Sequence, residues 1–316
     1  MTTRLDPALA DYLAAQPRVV WDESLDLAAE RARERAESLA APRLAEPAEI
    51  RDLVVPGPEG APGIGARLYR PTGERDLPLT LYLHGGGFVV GGLETHDNAV
   101  RLLAEQARTV VVAADYRLAP EHTYPAAVDD AYAVYRWVLA EAAALGADPG
   151  RVAVAGDSAG GFLATQVAFM SAERGDPPPA FQLLIYPATG AGSGGTGRDA
   201  EPGSAGLRPE NMDWYMSSFL GGYPAERLPA YFPPAKAPHP ATQPPTFVLT
   251  AELDPLREDG AAYAELLREA GVDARWQDSP GLVHSFLRFM HAVPAARAAA
   301  QPAFDALRAA LYGPGS

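Results

Sequence analysis

Short apolar segments alternate with longer amphipathic ones along most of this 316-residue chain. The apolar segments are rich in β-branched residues and nearly continuous, which is typical of strands buried on both faces. We predict such strands at 79–83, 110–114, 152–155, 181–186, 246–250 and 274–277. Helices are predicted at 97–108, 126–145, 159–173, 258–270 and 294–311. This alternation predicts an α/β fold, in which a mostly parallel sheet is covered by helices on both faces.

The first part of the chain has a different pattern. Residues 1–48 are predicted to form two helices, the second of them rich in Glu and Arg. A partial apolar stripe on the second helix is predicted from Leu25, Leu27, Ala32, Ala36 and Leu39. A pair of strands is predicted next, around 49–56 and 64–70, joined by a turn rich in Pro and Gly.

One segment interrupts the alternation of strands and helices. Residues 188–209 are rich in Gly, Ser and Pro, and a short helix with aromatic residues is predicted around 212–219. Long insertions of this kind usually serve function, and exposed aromatic side chains need a surface to cover. We interpret the insertion as part of a cap over a functional site. A surface excursion that ends in a packed helix is the alternative.

Composition narrows the range of partners. The net charge of −14 and the isoelectric point of about 4.9 argue against nucleic acid and anionic membranes. The chain has no cysteine, which excludes disulfides and thiolate metal sites. No apolar run approaches the ~18 residues of a membrane span, and the first residues lack the apolar core of a secretory signal. We therefore expect a soluble, cytoplasmic protein.

Neither a metal nor a cofactor is expected from the motifs present. No His-x-x-x-His pair and no acidic cluster with ligand spacing occurs in the chain. The glycine-rich run 190–197 follows a predicted strand, but it lacks a phosphate-loop lysine and a Gly-x-Gly-x-x-Gly helix start. Nucleotide binding is therefore not predicted.

The most informative local motif is Gly156-Asp157-Ser158-Ala159-Gly160, between a predicted strand and a predicted helix. A serine at such a sharp turn adopts a strained backbone conformation, and the two glycines approach each other too closely for side chains. The Ser158 hydroxyl then stands clear of the sheet edge, while the Ala159 amide points outward from a helix N-terminus. This arrangement presents a nucleophile in hydrolases.

A serine needs a base and an orienting acid to act as a nucleophile. His284 lies in a loop after the last predicted strand, at the sheet edge where ligand-facing groups gather in open α/β folds. Asp254 also follows a strand, and Pro255 blocks helical geometry there, so the carboxylate can accept the imidazole Nδ1–H. Glu252 is the rival acid. The order Ser158, Asp254, His284 is that of a catalytic triad in α/β-hydrolases.

A tetrahedral intermediate also needs hydrogen-bond donors for its negatively charged oxygen. The sequence His84-Gly85-Gly86-Gly87-Phe88 follows the predicted strand 79–83. Consecutive glycines allow backbone amides, rather than side chains, to face a site. We predict an oxyanion hole made by the amides of Gly86, Gly87 and Ala159, with a merely flexible loop as the alternative.

Three further polar residues are assigned structural roles. His84, at a strand end, is predicted to brace the glycine loop rather than to act as the base. His122 is predicted to belong to a hydrogen-bonded turn. Asp157 is next to the serine and could be mistaken for the acid of the triad. Its side chain must point away from the histidine to leave the turn intact, so we interpret it as structural.

These motifs together resemble the hormone-sensitive-lipase family of α/β-hydrolases, specifically the bacterial carboxylesterases with a Gly-Asp-Ser-Ala-Gly elbow. The resemblance covers roughly 80–290 and depends on 84–91, 115–122, 125–130, 156–160, 254–257 and 281–286. It implies an eight-stranded, mostly parallel sheet in a catalytic domain of residues 49–187 and 236–316. It also implies a helical cap built from residues 1–48 and the insertion 188–235. One departure is Ser285, which replaces the glycine that often follows the histidine.

The resemblance implies a serine carboxylesterase that cleaves short- to medium-chain acyl esters through an acyl-enzyme, without a cofactor. Its substrate pocket is expected to include Phe88, Trp214 and Tyr215. One alternative is an amidase or deacetylase that acts on an acylated natural product. The other is a non-catalytic receptor on a hydrolase scaffold, which the presence of all three triad residues disfavours. The expected partner is a small-molecule ester, and a homodimer is compatible with the sequence.

Overall fold

A single eight-stranded sheet organises the described part of the chain, which in this computed structural model comprises residues 5–17, 19–190 and 207–313. The strands are β1 (Glu49–Val55), β2 (Ile64–Arg70), β3 (Leu77–Leu83), β4 (Val110–Asp115), β5 (Ala147–Asp157), β6 (Gln182–Ile185), β7 (Thr246–Ala251) and β8 (Ala274–Ser279). Their order across the sheet is β1-β2-β4-β3-β5-β6-β7-β8. The β1–β2 and β2–β4 pairs are antiparallel and the other pairs are parallel. The predicted α/β-hydrolase fold with a mostly parallel sheet is confirmed.

Helices cover both faces of this sheet. They are α1 (Pro7–Ala14), α2 (Leu27–Ala40), α3 (Asp97–Ala107), α4 (Ala126–Glu141), α5 (Ala159–Arg174), α6 (Pro209–Leu220), α7 (Arg257–Glu269) and α8 (Pro294–Tyr312). Buried side chains of α4, α5 and α7 pack in one apolar cluster. Those of α1, α3 and α8 pack in a second cluster. The sheet therefore separates two cores.

The strands contribute side chains to both cores, which explains their nearly continuous apolar sequences. Leu184 of β6 packs in the cluster with α4, α5 and α7, whereas its neighbours Leu183 and Ile185 pack in the other cluster. All three side chains are fully buried. Because side chains alternate between the faces of a strand, a sheet covered on both sides needs apolar residues at successive positions.

Parallel pairing brings the ends of several strands to one edge of the sheet. Leu83 at the end of β3 pairs with Gly156 near the end of β5. Ala251 at the end of β7 pairs with Ser279 at the end of β8. The loops that follow these four strands therefore begin at the same edge, and they carry the residues that the sequence singles out for chemistry.

The apolar stripe predicted on α2 is wrong for its later residues, whereas Leu27 is half-buried and packs against the buried Val89, Val90 and Ala119. Ala32, Ala36 and Leu39 are exposed, with Leu39 62% exposed, whereas Glu30 and Glu34 are buried. The helix does not pack its inner face into either apolar core. That face is instead neutralised by arginines: Arg33 donates to both carboxylate oxygens of Glu30, and Arg288 donates to Glu34.

Candidate active site

Ser158 lies at the tip of a sharp turn between β5 and α5. Its φ of 54° and ψ of −117° are in a region that residues with a side chain rarely adopt. A Cβ atom on Gly156 would lie 2.3 Å from the carbonyl carbon of Gly160, and one on Gly160 would lie 1.9 Å from the Leu83 oxygen. Both glycines are therefore required by close backbone approach, as the sequence predicts.

Two short hydrogen bonds connect Ser158, His284 and Asp254. The His284 Nε2 atom lies 2.8 Å from the Ser158 Oγ atom, and the His284 Nδ1 atom lies 2.7 Å from the Asp254 Oδ2 atom. All three side chains are buried. Because a carboxylate can only accept, Nδ1 carries a proton in this pair, which leaves the Nε2 lone pair facing the serine hydroxyl.

Asp254 and Glu252, the two candidate acids, have different partners. The Asp254 Oδ1 atom accepts a hydrogen bond from the Leu256 amide at 2.8 Å, which fixes the carboxylate in the loop. The Glu252 Oε2 atom accepts instead from the Gly281 amide at 2.9 Å. Of the two, Asp254 is therefore the residue that orients the imidazole.

The glycine loop after β3 presents backbone amides beside the serine. Gly86 and Gly87 have φ values of 120° and 60°, and neither amide, nor that of Ala159, donates to any residue in the described ranges. A Cβ atom on Gly87 would lie 2.2 Å from the Tyr215 ring. Gly87 therefore needs to be glycine for its backbone conformation and for the space that α6 leaves it.

A buried polar cluster of Asp157, Tyr82 and His96 contacts this loop at Gly85. The Asp157 Oδ1 atom accepts hydrogen bonds from the Gly85 amide at 2.9 Å and from the Tyr82 hydroxyl at 2.7 Å. The Nε2 atom of His96 lies 3.4 Å from the other Asp157 oxygen. Burial raises the pKa of Asp157, but the nearby His96 and the Tyr82 hydrogen bond outweigh it and lower the pKa to about 2. Asp157 thus points away from His284, as predicted.

Sequence reasoning missed the partners of Asp157. Tyr82 lies inside an apolar strand, and a buried tyrosine hydroxyl generally needs a hydrogen-bond partner, so its position was a usable signal. His96 precedes α3 without a motif that would mark it. Its contact with Asp157 joins chain positions that are distant in sequence, and only the fold brings them together.

His84 and His122 have the structural roles that the sequence predicts. The His84 Nδ1 atom lies 2.8 Å from the Gly85 oxygen, and the ring stacks on Tyr116 with centroids 4.2 Å apart. The His122 amide donates to the Leu118 oxygen, which closes a turn, and its side chain is exposed. Neither imidazole takes part in the hydrogen bonds at Ser158.

Ser158 and His284 open into a cavity of about 430 Å³. Phe88 and Tyr215 line it, as expected for a substrate pocket, together with residues of α1, α2 and α6. Trp214 does not line the cavity, and this part of the pocket expectation is corrected. Trp214 and Tyr215 are consecutive in α6, so their side chains point in different directions, and of the two only Tyr215 lines the cavity.

Comparisons with known proteins agree with this geometry. A family model for the alpha/beta hydrolase fold matches residues 80–288. The carboxylesterase NlhH of Mycobacterium tuberculosis is 42% identical over 275 residues, which are 86% of this chain and 86% of that protein. Ethyl acetate hydrolase of Pseudomonas putida is 37% identical over 296 residues, 90% of this chain and 92% of that protein.

A solved structure extends the similarity to the whole fold. The hyperthermophilic esterase of Pyrobaculum calidifontis superposes with a TM-score of 0.88 and 38% sequence identity, over 97% of this chain and 98% of that one. The chain therefore belongs to the α/β-hydrolase family, and the resemblance to hormone-sensitive-lipase-type carboxylesterases is confirmed. It is a carboxylic ester hydrolase. Among the described residues, no helix combines the length and apolarity that crossing a membrane requires.

Proposed function

We propose that Ser158, His284 and Asp254 are the nucleophile, general base and orienting acid of a serine carboxylesterase. The observation that carries this proposal is the continuous pair of hydrogen bonds, 2.8 Å from His284 Nε2 to Ser158 Oγ and 2.7 Å from His284 Nδ1 to Asp254 Oδ2. A neutral imidazole in this tautomer accepts a proton at Nε2, and the carboxylate stabilises the imidazolium that results.

The reaction proceeds in two similar halves. Ser158 Oγ attacks the ester carbonyl while His284 takes its proton, and the amides of Gly86, Gly87 and Ala159 hold the oxyanion. His284 then gives the proton to the leaving alkoxide, so that the alcohol departs and Ser158 is acylated. Water attacks the acyl-enzyme with His284 again as base. The proton finally returns to Ser158 Oγ as the carboxylic acid leaves.

The substrates in this proposal are short- to medium-chain acyl esters. A cavity of about 430 Å³ is in the usual range for small-molecule sites. Apolar side chains line part of it, among them Phe88, Met212 and Leu256. The relative from Pseudomonas putida carries the name of ethyl acetate, a short ester, and we extend that substrate class to this chain.

The proposal includes a cap of residues 1–48 and 188–235 over a catalytic domain of residues 49–187 and 236–316. It is supported by the ring of Trp21, which lies 5.0 Å from that of Tyr215 in α6, so that both segments meet above the cavity. Residues 191–206, within the glycine-rich stretch, lie outside the described residues.

We also propose that two copies of the chain form a homodimer through the edge strand β8. Strand β8 pairs only with β7 in the described sheet, and an edge strand offers unpaired backbone groups to a second copy. Light scattering of the purified protein is expected to give twice the chain mass of 33.4 kDa. The mass of a single chain at micromolar concentration would contradict the dimer and leave the catalytic assignment untouched.

The catalytic assignment is tested with Ser158→Ala. We expect the variant to lose hydrolysis of p-nitrophenyl acetate by at least roughly 10⁴-fold, because the attacking hydroxyl is gone. Ser171→Ala is the matched control: this serine is buried in α5, the helix that follows Ser158, and its hydroxyl donates to the Ala168 oxygen. Circular dichroism checks that both variants fold. Full activity in a folded Ser158→Ala protein would refute the assignment.

A further inference from the structure

Part of the cavity lining is charged, and we call this part the charged wall. Four glutamates and three arginines are among its described lining residues, a balance of one negative charge with histidines neutral. They are Glu30, Glu34, Glu37, Glu94, Arg33, Arg208 and Arg288. A cavity that accepted only alkyl esters would not need such a wall, since burying charged groups costs free energy unless each is paired.

Most carboxylate oxygens on the α2 part of this wall have partners. Both oxygens of Glu30 accept from Arg33. Glu37 accepts from the Tyr12 hydroxyl with one oxygen at 3.2 Å and from Arg33 with the other at 3.1 Å. These residues hold each other in place, and a ligand would have to break an ion pair to use them.

Glu34 differs from these two glutamates. Its Oε1 atom accepts from Arg288 at 2.7 Å, but its Oε2 atom is buried and has no hydrogen-bond partner among the described residues. The side chain is only 5% exposed. An ionised carboxylate oxygen without a partner at such a position is costly, and a bound group that donates a hydrogen bond removes that cost.

We propose that Glu34 is a specificity-determining residue, whose Oε2 atom binds a hydroxyl or ammonium group on the ester substrate, remote from the scissile carbonyl. This inference rests on the proposed function, because it takes the cavity at Ser158 as the substrate site. Glu34 and Ser158 line the same cavity, which holds the substrate in the proposed function. A donor group is favoured over a carboxylate by the net negative charge of the wall. The preferred substrates are then esters with a polar donor group rather than simple alkyl esters.

Pairs of esters that differ by one terminal group test this proposal. On the acyl side, p-nitrophenyl 6-hydroxyhexanoate is compared with p-nitrophenyl heptanoate, and on the alcohol side, 4-hydroxybutyl butanoate with pentyl butanoate. A third arm uses p-nitrophenyl 6-aminohexanoate at pH 7, which distinguishes an ammonium group from a hydroxyl. We expect at least one donor ester to exceed its methyl-terminated partner tenfold or more in kcat/KM, as one well-placed hydrogen bond to a charged group allows.

The variant Glu34→Gln tests whether the preference for a donor group comes from Glu34. Glutamine keeps an oxygen for Arg288 but replaces the free acceptor by an NH₂ group, so the tenfold ratio is expected to fall to within threefold of one. Glu37→Gln is the matched control, one turn further along α2 with both oxygens already paired, and its ratio should stay within twofold of the wild type. If Glu34→Gln fails to fold, Glu34→Asp replaces it with the same expectation, because the carboxylate is withdrawn by one methylene group.

The outcomes distinguish a failure of the role proposed for Glu34 from a failure of the proposed function. If none of the esters is hydrolysed, the proposed function fails. If all are hydrolysed but every donor ester stays below fivefold over its partner, only the role of Glu34 is overturned. A ratio that survives in the folded Glu34 variant would also overturn it, since the preference would then come from another group.

Discussion

Two carboxylates follow β7 two residues apart, and only one of them contacts the imidazole. Asp254 Oδ2 lies 2.7 Å from His284 Nδ1, whereas Glu252 accepts from the backbone of Gly281. The difference arises from the Leu256 amide, which holds the second Asp254 oxygen and turns the carboxylate toward the histidine. The backbone donors around each acid thus decide which of the two carboxylates faces the imidazole.

Exchange of each acid for its amide tests this distinction. Asp254→Asn is expected to lower kcat by roughly 10⁴-fold, because an amide no longer holds the imidazole in the productive tautomer. Glu252→Gln keeps an acceptor for the Gly281 amide and is expected to lower kcat by less than about tenfold. Steady-state rates on p-nitrophenyl acetate measure both. Equal losses in the two variants would contradict the assignment of Asp254.

At the scale of elements, the sequence predicted best where burial alone determines structure. The parallel strands were found within a few residues because two-sided burial demands apolar runs. Strand β5 nevertheless begins at Ala147, before the apolar run, where Leu77 pairs with Ala147. This extension depends on backbone pairing with β3, and its sequence, which contains Pro149 and Gly150, carries no strand pattern.

Helix α2 shows why other features could not be predicted. Its apolar residues suggested a buried stripe, but the buried positions are Glu30 and Glu34. Their burial is possible only because Arg33 and Arg288 pair with them, and Arg288 is distant in sequence. The proximity of Ser158, Asp254 and His284, by contrast, was predictable because each of them follows a strand whose end lies at the same sheet edge.

The glycine loop packs against α6 through the contact of Gly87 with Tyr215. The variant Gly87→Ala tests this contact. The new methyl group would lie 2.2 Å from the Tyr215 ring, so the loop or the ring must shift. In the proposed mechanism, a shift of the loop moves one oxyanion donor. Loss of one such donor lowers kcat by roughly 100- to 1000-fold. We expect a loss of this size in Gly87→Ala, measured on p-nitrophenyl acetate.

Gly175→Ala separates this effect from backbone strain. Gly175 also has a positive φ, 72°, but nothing lies within 4 Å of the position of its Cβ atom. Both variants are expected to lose roughly 1 kcal/mol of stability from the left-handed backbone, while Gly175→Ala keeps the wild-type kcat. Normal turnover in Gly87→Ala would show that the loop yields without moving the donor.

Acid stability is a property of the whole molecule, and the buried groups beneath the active site contribute to it. Burial lowers the pKa of His84 to about 3, and the nearby His96 acts in the same direction. An unfolded histidine titrates near ~6.5. Below that pH the unfolded chain binds a proton that folded His84 does not, so stability falls as the pH drops from about 7 toward 3.

Asp157 acts in a different pH range. Its folded pKa of about 2 is below that of an unfolded aspartate, so its contribution is complete above about pH 4 and is lost only as the pH falls toward 2. Between pH 8 and pH 5, Asp157 therefore leaves the free energy of unfolding unchanged, whereas His84 lowers it. A comparison within this range therefore separates the contribution of His84 from that of Asp157.

The free energy of unfolding in urea at pH 8 and at pH 5 measures the contribution of His84. Full protonation of the unfolded histidine at the lower pH corresponds to about 2 kcal/mol lost from the wild type. We expect His84→Asn to lose about 2 kcal/mol less than the wild type between these pH values, even if its stability at pH 8 is lowered by loss of the stacking on Tyr116. His122→Asn, at an exposed histidine, should lose as much as the wild type. If His84→Asn also matched the wild type, the folded protein would have to bind a proton at His84 as readily as the unfolded chain does.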